Sequence, residues 1–299
     1  MKKRNVLAGG LAAFLFVGSV LFGTGMDRIS AAKAAQRMDY AHHPAKAAIA
    51  FGLQQGYMWT YPDGGFYPHH RISQAQFVAG LAAIRGERGI QPVPQLPNGH
   101  WAKSVYERAN KAGTLRDIAI DPNRLLTKEE AAKLVFNAWR PYRGEKNKHY
   151  TNTGALVTWG WMKPAPPGQP KFREDLPVTR ADAAEIFLYL WQDKWQLELG
   201  KKYADEFHRS LKVENGVISG RVPKGDGTNF LIRVSFITKE NGRLHYLNGE
   251  TFKIDTNRLI SYLVVSVTNK VDSSDAGLFY YNDFSNLKRT HETLKFSNK

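Results

Sequence analysis

The chain has 299 residues, with 42 lysines and arginines against 27 aspartates and glutamates, which gives a formal net charge of +15. With 42% hydrophobic and 12% aromatic residues the composition is that of a chain that folds, which excludes a disordered protein, and the length allows two domains. The chain has no cysteine, which excludes disulfides and thiolate metal sites.

The N-terminus has the pattern of an export signal. Residues 1–5 are basic, Val6–Met26 is an apolar run, and Ala32–Lys33–Ala34 offers a small-x-small cleavage site. We therefore predict that residues 1–34 are a signal peptide and that the protein is secreted to the cell surface or cell wall. An uncleaved signal would instead serve as a membrane tether, because the apolar run is long enough to span a bilayer.

The positive charge is distributed along the whole chain rather than concentrated in one segment. Nucleic acid is not an expected partner, because the protein is predicted to be exported. An evenly basic surface outside the membrane is better matched to an anionic wall polymer or to lipid headgroups.

After the signal, the sequence predicts three helical units. A capping-box pattern, in which Ser or Thr is followed three positions later by Gln, Glu or Asp, occurs three times at intervals of about fifty residues and indicates an internal repeat. The predicted cap pairs are Ser73 with Gln76, Thr127 with Glu130, and Thr179 with Asp182. The predicted repeats span residues 40–85, 98–140 and 148–195.

Each repeat is predicted to be a helix, a loop and a capped helix. Apolar residues recur at spacings of three and four along the capped helices, and a helix pair alone cannot bury such a stripe, so three pairs are expected to close around a shared axis. Arg180 directly follows its cap. We expect this first helical position to be exposed, and a cation there opposes the positive end of the helix dipole, so the helix alone gives Arg180 no structural role.

Three stretches carry a resemblance to a known family: YPDGGFYP before ISQAQF, HWAKSVYERANKAG before LTKEEA, and PVTRADA. They resemble S-layer homology repeats, whose pattern is a tryptophan-led first helix, a glycine, an Asp-Gly-x-Phe-x-Pro loop and a Thr-Arg-Ala-Glu cap. The resemblance covers roughly residues 40–195. It implies an α-helical triplet in a pseudo-threefold bundle that binds secondary cell wall polymer, typically a pyruvylated glycan, in grooves between repeats.

The resemblance also implies ligand contacts. The arginine of the family's cap motif contacts the anionic group, and the matching positions in this chain are Gln74, Lys128 and Arg180. A guanidinium can hold a carboxylate through two hydrogen bonds, and we expect exposed backbone N–H groups at the helix start to add to the same anion site. Compared with arginine, lysine keeps the positive charge but lacks the planar guanidinium that makes two parallel hydrogen bonds, and glutamine keeps hydrogen bonding but has no charge.

Aromatic residues complete the predicted site. Trp101 matches the family's leading tryptophan and could stack on a sugar or simply pack at a helix start. Tyr57, Trp59 and Trp159 lie beside the ends of first helices and could line the grooves, although aromatic residues at helical spacing often belong to the core.

In residues 213–299 the helical spacing gives way to short runs of alternating apolar residues, which are separated by turn sequences. Six or seven strands in this length predict a small all-β, immunoglobulin-like sandwich. The sequence leaves open whether this part binds a protein partner, polymerises in a surface layer, or acts only as a spacer.

The sequence contains no recognisable catalytic constellation, so we predict a protein that is not an enzyme and uses no cofactor or metal. The expected function is noncovalent anchoring to secondary cell wall polymer or a peptidoglycan-linked glycan, with the β domain displayed. Two alternatives stay open. One is an exported glycan or peptide hydrolase with its chemistry in the C-terminal part, and the other is a membrane-tethered envelope assembly protein.

Overall fold

The computed structural model describes residues 38–143, 151–163, 173–225, 229–240, 242–270, 275–281, 287 and 289–292. The predicted signal peptide, residues 1–34, and parts of the third predicted repeat, 148–150 and 164–172, lie outside the described residues. The described residues from Asp39 onwards belong to one compact unit.

Six helices are described before the first strand, arranged as the predicted helix, loop and capped helix. The shortest is the first helix of the third unit, where Gly154 dilutes the helical pattern. The helices are α1 (Lys46–Gln55), α2 (Gln74–Arg85), α3 (Lys103–Lys111), α4 (Lys128–Arg143), α5 (Asn152–Thr158) and α6 (Arg180–Ser210).

Reciprocal capping boxes are present at the start of α2, α4 and α6. At α6, the Asp182 N–H donates to Thr179 Oγ1 over 3.1 Å, and the Thr179 N–H donates to Asp182 Oδ2 over 2.9 Å. Ser73 with Gln76 and Thr127 with Glu130 make the same pair of bonds. Local sequence therefore fixes the start of each capped helix before any tertiary packing.

The three capped segments close on one another through a ring of backbone hydrogen bonds. The Ile72 N–H donates to Val178 O (3.0 Å), the Leu126 N–H donates to Ile72 O (3.1 Å), and the Val178 N–H donates to Leu126 O (2.9 Å). Each of these apolar residues is at most 1% exposed. The ring holds the starts of α2, α4 and α6 around one shared core, to which all six helices contribute.

Helix α6 is 31 residues long and continues past the helical bundle into the β part. In its first half Phe187 packs against Phe77 of α2, with ring centroids 4.9 Å apart. Buried Asp193 accepts a hydrogen bond of 2.9 Å from Trp139 Nε1 of α4. One continuous helix thus belongs to two hydrophobic cores.

The structure describes eight strands in this part of the chain, and they form two antiparallel sheets, against the six or seven strands that the sequence predicted. The three-stranded sheet has the order β1–β2–β5 and the five-stranded sheet the order β4–β3–β6–β7–β8. The strands are β1 (Lys212–Glu214), β2 (Val217–Arg221), β3 (Phe230–Thr238), β4 (Arg243–Leu247), β5 (Thr251–Asp255), β6 (Leu259–Asn269), β7 (Asp275–Tyr281) and β8 (Arg289–Glu292).

The centre of the larger sheet is the β3–β6 pair, in which Val234 lies opposite Val265 and Phe236 opposite Leu263, with a register shift between Phe236 and Thr238. Alternate residues of β3 are buried, which follows from the two-residue side-chain period of a strand. The buried face of this sheet shares its core with Ile218, Phe252 and Ile254 of the smaller sheet.

The expectation of an all-β domain beginning at residue 213 needs correction, because the β core begins within α6. Tyr203, Ala204 and Phe207 of this helix are buried in the same cluster as the strands, with Leu199 packed against it. Residues 199, 203 and 207 recur every fourth position, so they form one face of the helix. The alternation of apolar residues after residue 213 predicts strands but does not show which helix packs against them. The sequence therefore provides no reason to place the end of α6 in the β core.

Candidate functional site

The capped helices present their first residues to the grooves between the helical units. At each of these helix starts, the first two backbone N–H groups donate to carbonyls of a neighbouring segment. Those of Gln74 and Ala75 donate to Arg124 O and Pro122 O, those of Lys128 and Glu129 to Leu176 O and Glu174 O, and those of Arg180 and Ala181 to His70 O and Pro68 O.

These bonds correct one expectation. The N–H groups at the helix starts were predicted to be exposed and to add to an anion site, but they are consumed in joining the units to one another. Any recognition of an anion in the grooves must therefore come from side chains.

Gln74 is fully buried and bridges two helical units. Its Nε2 donates to Ala119 O over 2.8 Å, while its Oε1 accepts from Tyr106 Oη (2.8 Å) and from the Asp121 N–H (3.1 Å). All of these partners belong to the second unit. The amide is therefore held by three hydrogen bonds to protein groups, and this groove presents no accessible Gln74 surface to a ligand.

Arg180 is bound in the same way to the first unit. Its Nε donates to Phe66 O over 2.7 Å, and its Nη2 donates to Trp59 O. The guanidinium carbon also lies 4.7 Å from the centre of the Tyr61 ring and 4.6 Å from that of Phe66, both cation–π distances. The side chain closes the loop of the first unit onto the start of α6.

The expectation that Arg180 is exposed is wrong, because the residue is 1% exposed. Burial lowers the pKa of its guanidinium, and the neighbouring Tyr61 and Asp39 raise it. The physical reason was absent from the local sequence: the carbonyls that accept from Arg180 lie more than a hundred residues upstream. In this structure Arg180 has a structural role and little surface for a polymer to reach.

Lys128 occupies a different environment. It is partly exposed and lines a small open cleft, whose walls also include Trp161, Lys163, Asp182, Glu185 and Tyr189. Lys163 Nζ donates to Glu185 Oε1 over 2.8 Å. Asp182 is occupied in the capping box of α6. The cleft thus combines two ammonium groups and two carboxylates with aromatic walls.

Lys163 was not predicted as a site residue. The signal that could have found it is the register after the first helix of each unit: Gly56, Gly113 and Gly160 all have positive φ, between 73° and 77°. Counting three residues from this turn aligns Lys163 with Trp59. Trp59 was predicted as a site residue because it is aromatic, whereas Lys163, at the equivalent position of the third unit, is not aromatic and was not predicted.

Trp101 and Trp59 are brought together on the surface, although they lie in different units. Trp101 is 58% exposed, and its ring meets that of Trp59 edge to face at a centroid distance of 6.2 Å. His100 stacks on Trp101 at 5.8 Å. An exposed indole supported by a second ring is a suitable surface for the apolar face of a sugar.

The other two aromatic candidates lie deeper. Tyr57 is 1% exposed and packs against Phe187, so it has no surface to offer a ligand. Trp159 is partly buried between Phe136 and Trp161, with centroid distances of 5.1 and 5.0 Å. Both positions follow the end of a first helix, where the chain turns inward towards the core.

Burial raises the pKa of the Tyr57 hydroxyl, which has no hydrogen-bond partner in the structure. We therefore expect Tyr57→Phe to keep or increase the free energy of unfolding, by about 1 kcal/mol, because it removes a buried unsatisfied group. Tyr106→Phe is the matched control: it removes the bond to Gln74 and is expected to lower stability by a similar amount. Chemical unfolding of both variants tests this, and a loss of stability in Tyr57→Phe would contradict it.

Among the residues that the structure describes, no group of three or more His, Asp or Glu side chains could hold a metal ion. Within the same residues, no helix is both long and apolar enough to cross a membrane.

Comparison with known families adds one finding. Residues 39–78 match the family model of the S-layer homology domain. The match covers α1, the loop that Arg180 holds, and the start of α2, which is the first of the three helical units. No curated protein matches the chain.

Proposed function

We propose that this protein is a wall-anchoring surface protein whose helical part holds an anionic polymer of the cell wall. The observation that carries the proposal is the match of residues 39–78 to the S-layer homology domain, a module that anchors surface proteins to cell walls. The predicted export signal, residues 1–34, is consistent with this location.

The proposal extends to all three helical units, which we take to be an S-layer homology triplet. Two observations support this extension. Backbone hydrogen bonds join Ile72, Leu126 and Val178 in a closed ring, and in each capped helix the first two N–H groups donate to carbonyls of a neighbouring segment. These contacts make the three units equivalent although only the first matches the family model.

We place the anionic group of the polymer in the cleft lined by Lys128 and Lys163. Gln74 and Arg180 occupy the equivalent positions in the other two grooves and are buried, with hydrogen bonds to protein groups. Lys128 is the partly exposed member of the three, and Tyr189, which is 37% exposed, lines the same cleft. The Trp59–Trp101 surface offers a second contact for neutral sugar rings of the same chain, which would strengthen attachment because the second contact is intramolecular.

In this proposal the β part is displayed and has no catalytic role. Its attachment through α6, which belongs to both cores, holds it rigidly to the wall-binding part. Release of glycan or peptide fragments from purified walls by the intact protein would favour the hydrolase alternative.

The test is co-sedimentation of the protein with purified cell walls, before and after chemical removal of the secondary polymer. We expect binding that disappears with the polymer and falls at least tenfold in Lys128→Ala, since a charge-assisted contact contributes roughly 1.5–3 kcal/mol. Lys201→Ala is the matched control, because Lys201 is an exposed lysine of α6 away from the cleft.

Two results would refute parts of this scheme. Undiminished binding to stripped walls would show that the polymer is not the ligand. Equal loss of binding in Lys128→Ala and Lys201→Ala would show that general surface charge, rather than the cleft, is responsible.

A further inference from the structure

Two tryptophans of α6, Trp191 and Trp195, lie one turn apart where the helix passes from the helical bundle into the β part. The rings of this tryptophan pair are within 3° of parallel, with centroids 6.5 Å apart. Trp195 is 42% exposed and Trp191 is partly buried. Tryptophan is highly buried on average, so an indole left this exposed is a candidate for contact with a ligand. Neither residue lines the Lys128 cleft.

Both indoles are held by rings from other elements. Phe51 of α1 meets Trp191 edge to face at a centroid distance of 4.8 Å, and Phe230 of β3 packs against Trp195 at 5.8 Å. Phe230 is fully buried in the β core, whereas Phe51 packs against the core of the helical bundle. The pair is therefore positioned before a ligand arrives, which lowers the entropy cost of binding.

Charged side chains flank the tryptophan pair on the same side of α6. Lys202 follows Trp195 by seven residues, about two helical turns, and is exposed. Glu198 lies between them in the chain, and Lys194 Nζ balances its charge over 3.5 Å. Lys202 therefore leaves a net positive charge on this side of the helix.

The β part places a second lysine next to the strand pair that supports Trp195. Asn269 lies opposite Phe230 in the register of β3 and β6, and the residue after it, Lys270, is exposed. Together with Lys202 this lysine makes the surroundings of the tryptophan pair basic, which complements an anionic ligand.

We propose that the tryptophan pair is a further glycan-binding surface, on which a sugar ring of the secondary cell wall polymer stacks by its apolar face while Lys202 and Lys270 attract the anionic groups of the polymer. The chemistry of the surface favours this ligand, because an indole packs on the apolar face of a sugar and lysines attract an anion. The inference rests on the proposed function, since it takes the same polymer as the ligand. It adds a binding surface outside the grooves, and a second contact strengthens attachment.

The test is co-sedimentation of the intact protein with purified walls that retain their secondary polymer. Trp195→Ala is expected to lower the affinity about fivefold, the effect of losing one stacked ring. Trp195→Phe keeps a ring and should keep most of the affinity. Lys202→Ala should lower the affinity about twofold, and this difference should shrink as the salt concentration rises, because exposed charges are screened.

Two variants serve as matched controls. Leu247→Ala removes an apolar side chain of β4 that is 40% exposed, and Lys201→Ala removes an exposed lysine that lies about 100° away from Lys202 around the helix axis. Both should bind as wild type does. Chemical unfolding checks that Trp195→Ala is folded. Because Lys202 is exposed, its variant tests the surface without disturbing either core.

The outcomes separate this inference from the proposed function. If folded Trp195→Ala binds polymer-bearing walls as tightly as wild type, or Lys202→Ala binds no more weakly than Lys201→Ala, the tryptophan pair is not a binding surface, while Lys128-dependent binding leaves the anchor intact. If Trp195→Ala weakens binding to walls stripped of the polymer by the same factor, peptidoglycan is the ligand and the assignment to the polymer is refuted. If wild type fails to bind polymer-bearing walls, both the inference and the proposed function are refuted.

Discussion

Arg180→Ala is expected to destabilise the protein by roughly 3 kcal/mol, and this cost should be present in the absence of any ligand. The substitution leaves Trp59 O and Phe66 O without their buried donor and empties the space between the Tyr61 and Phe66 rings. Chemical or thermal unfolding, followed by tryptophan fluorescence, measures the effect directly.

The matched control is Lys128→Ala, which changes the equivalent first residue of α4. Lys128 is partly exposed at the cleft, so we expect its removal to change the free energy of unfolding by about 0.5 kcal/mol or less. The pair therefore separates a structural cation from one that we propose to bind the ligand. Equal stability of Arg180→Ala and wild type would contradict the structural role, and Arg180 would again be a candidate for contact with the polymer.

Gly200→Ala is expected to cost roughly 3 kcal/mol through a clash between α6 and β7. A Cβ atom at residue 200 would lie 2.0 Å from Ala276 O and 2.6 Å from the carbonyl carbon of the same residue. Both are backbone atoms in a paired strand and cannot move aside as a flexible side chain can. In an exposed helix the same change would instead stabilise by about 1 kcal/mol, because alanine has the higher helix propensity.

Lys201→Ala provides the control for Gly200→Ala, because it changes the next residue of the same helix on an exposed face. We expect it to be nearly neutral in thermal unfolding. If Gly200→Ala were also neutral or stabilising, the close approach of α6 to the five-stranded sheet would be refuted, and with it the connection between the helical bundle and the β part through this helix.

Local patterns gave the elements of the fold because their physical causes are local. A capping box needs only two residues three positions apart, so Thr179 and Asp182 could be paired from the sequence. The alternation of apolar residues in β3 follows from the geometry of a strand, and it located the centre of the larger sheet.

The site was harder to predict, since each groove is built from distant segments. The residue type at the first helical position suggested a ranking with Arg180 first and Gln74 last, but accessibility depends on which carbonyls surround the side chain. Phe66 O and Trp59 O belong to the first helical unit and Arg180 to the third, so the sequence around Arg180 does not indicate that these carbonyls accept its hydrogen bonds. Lys163 was missed for the same reason: it joins Lys128 only when the units close.

The sequence by itself therefore determined the capped helices, most strands, and the resemblance of the first unit to the S-layer homology domain, since each depends on residues close together in the chain. Only the tertiary structure decided which first-position side chain stays accessible and where the β core begins. Those features depend on burial and on hydrogen bonds between residues far apart in the sequence, and such partners are assigned only when the three units and the two sheets pack.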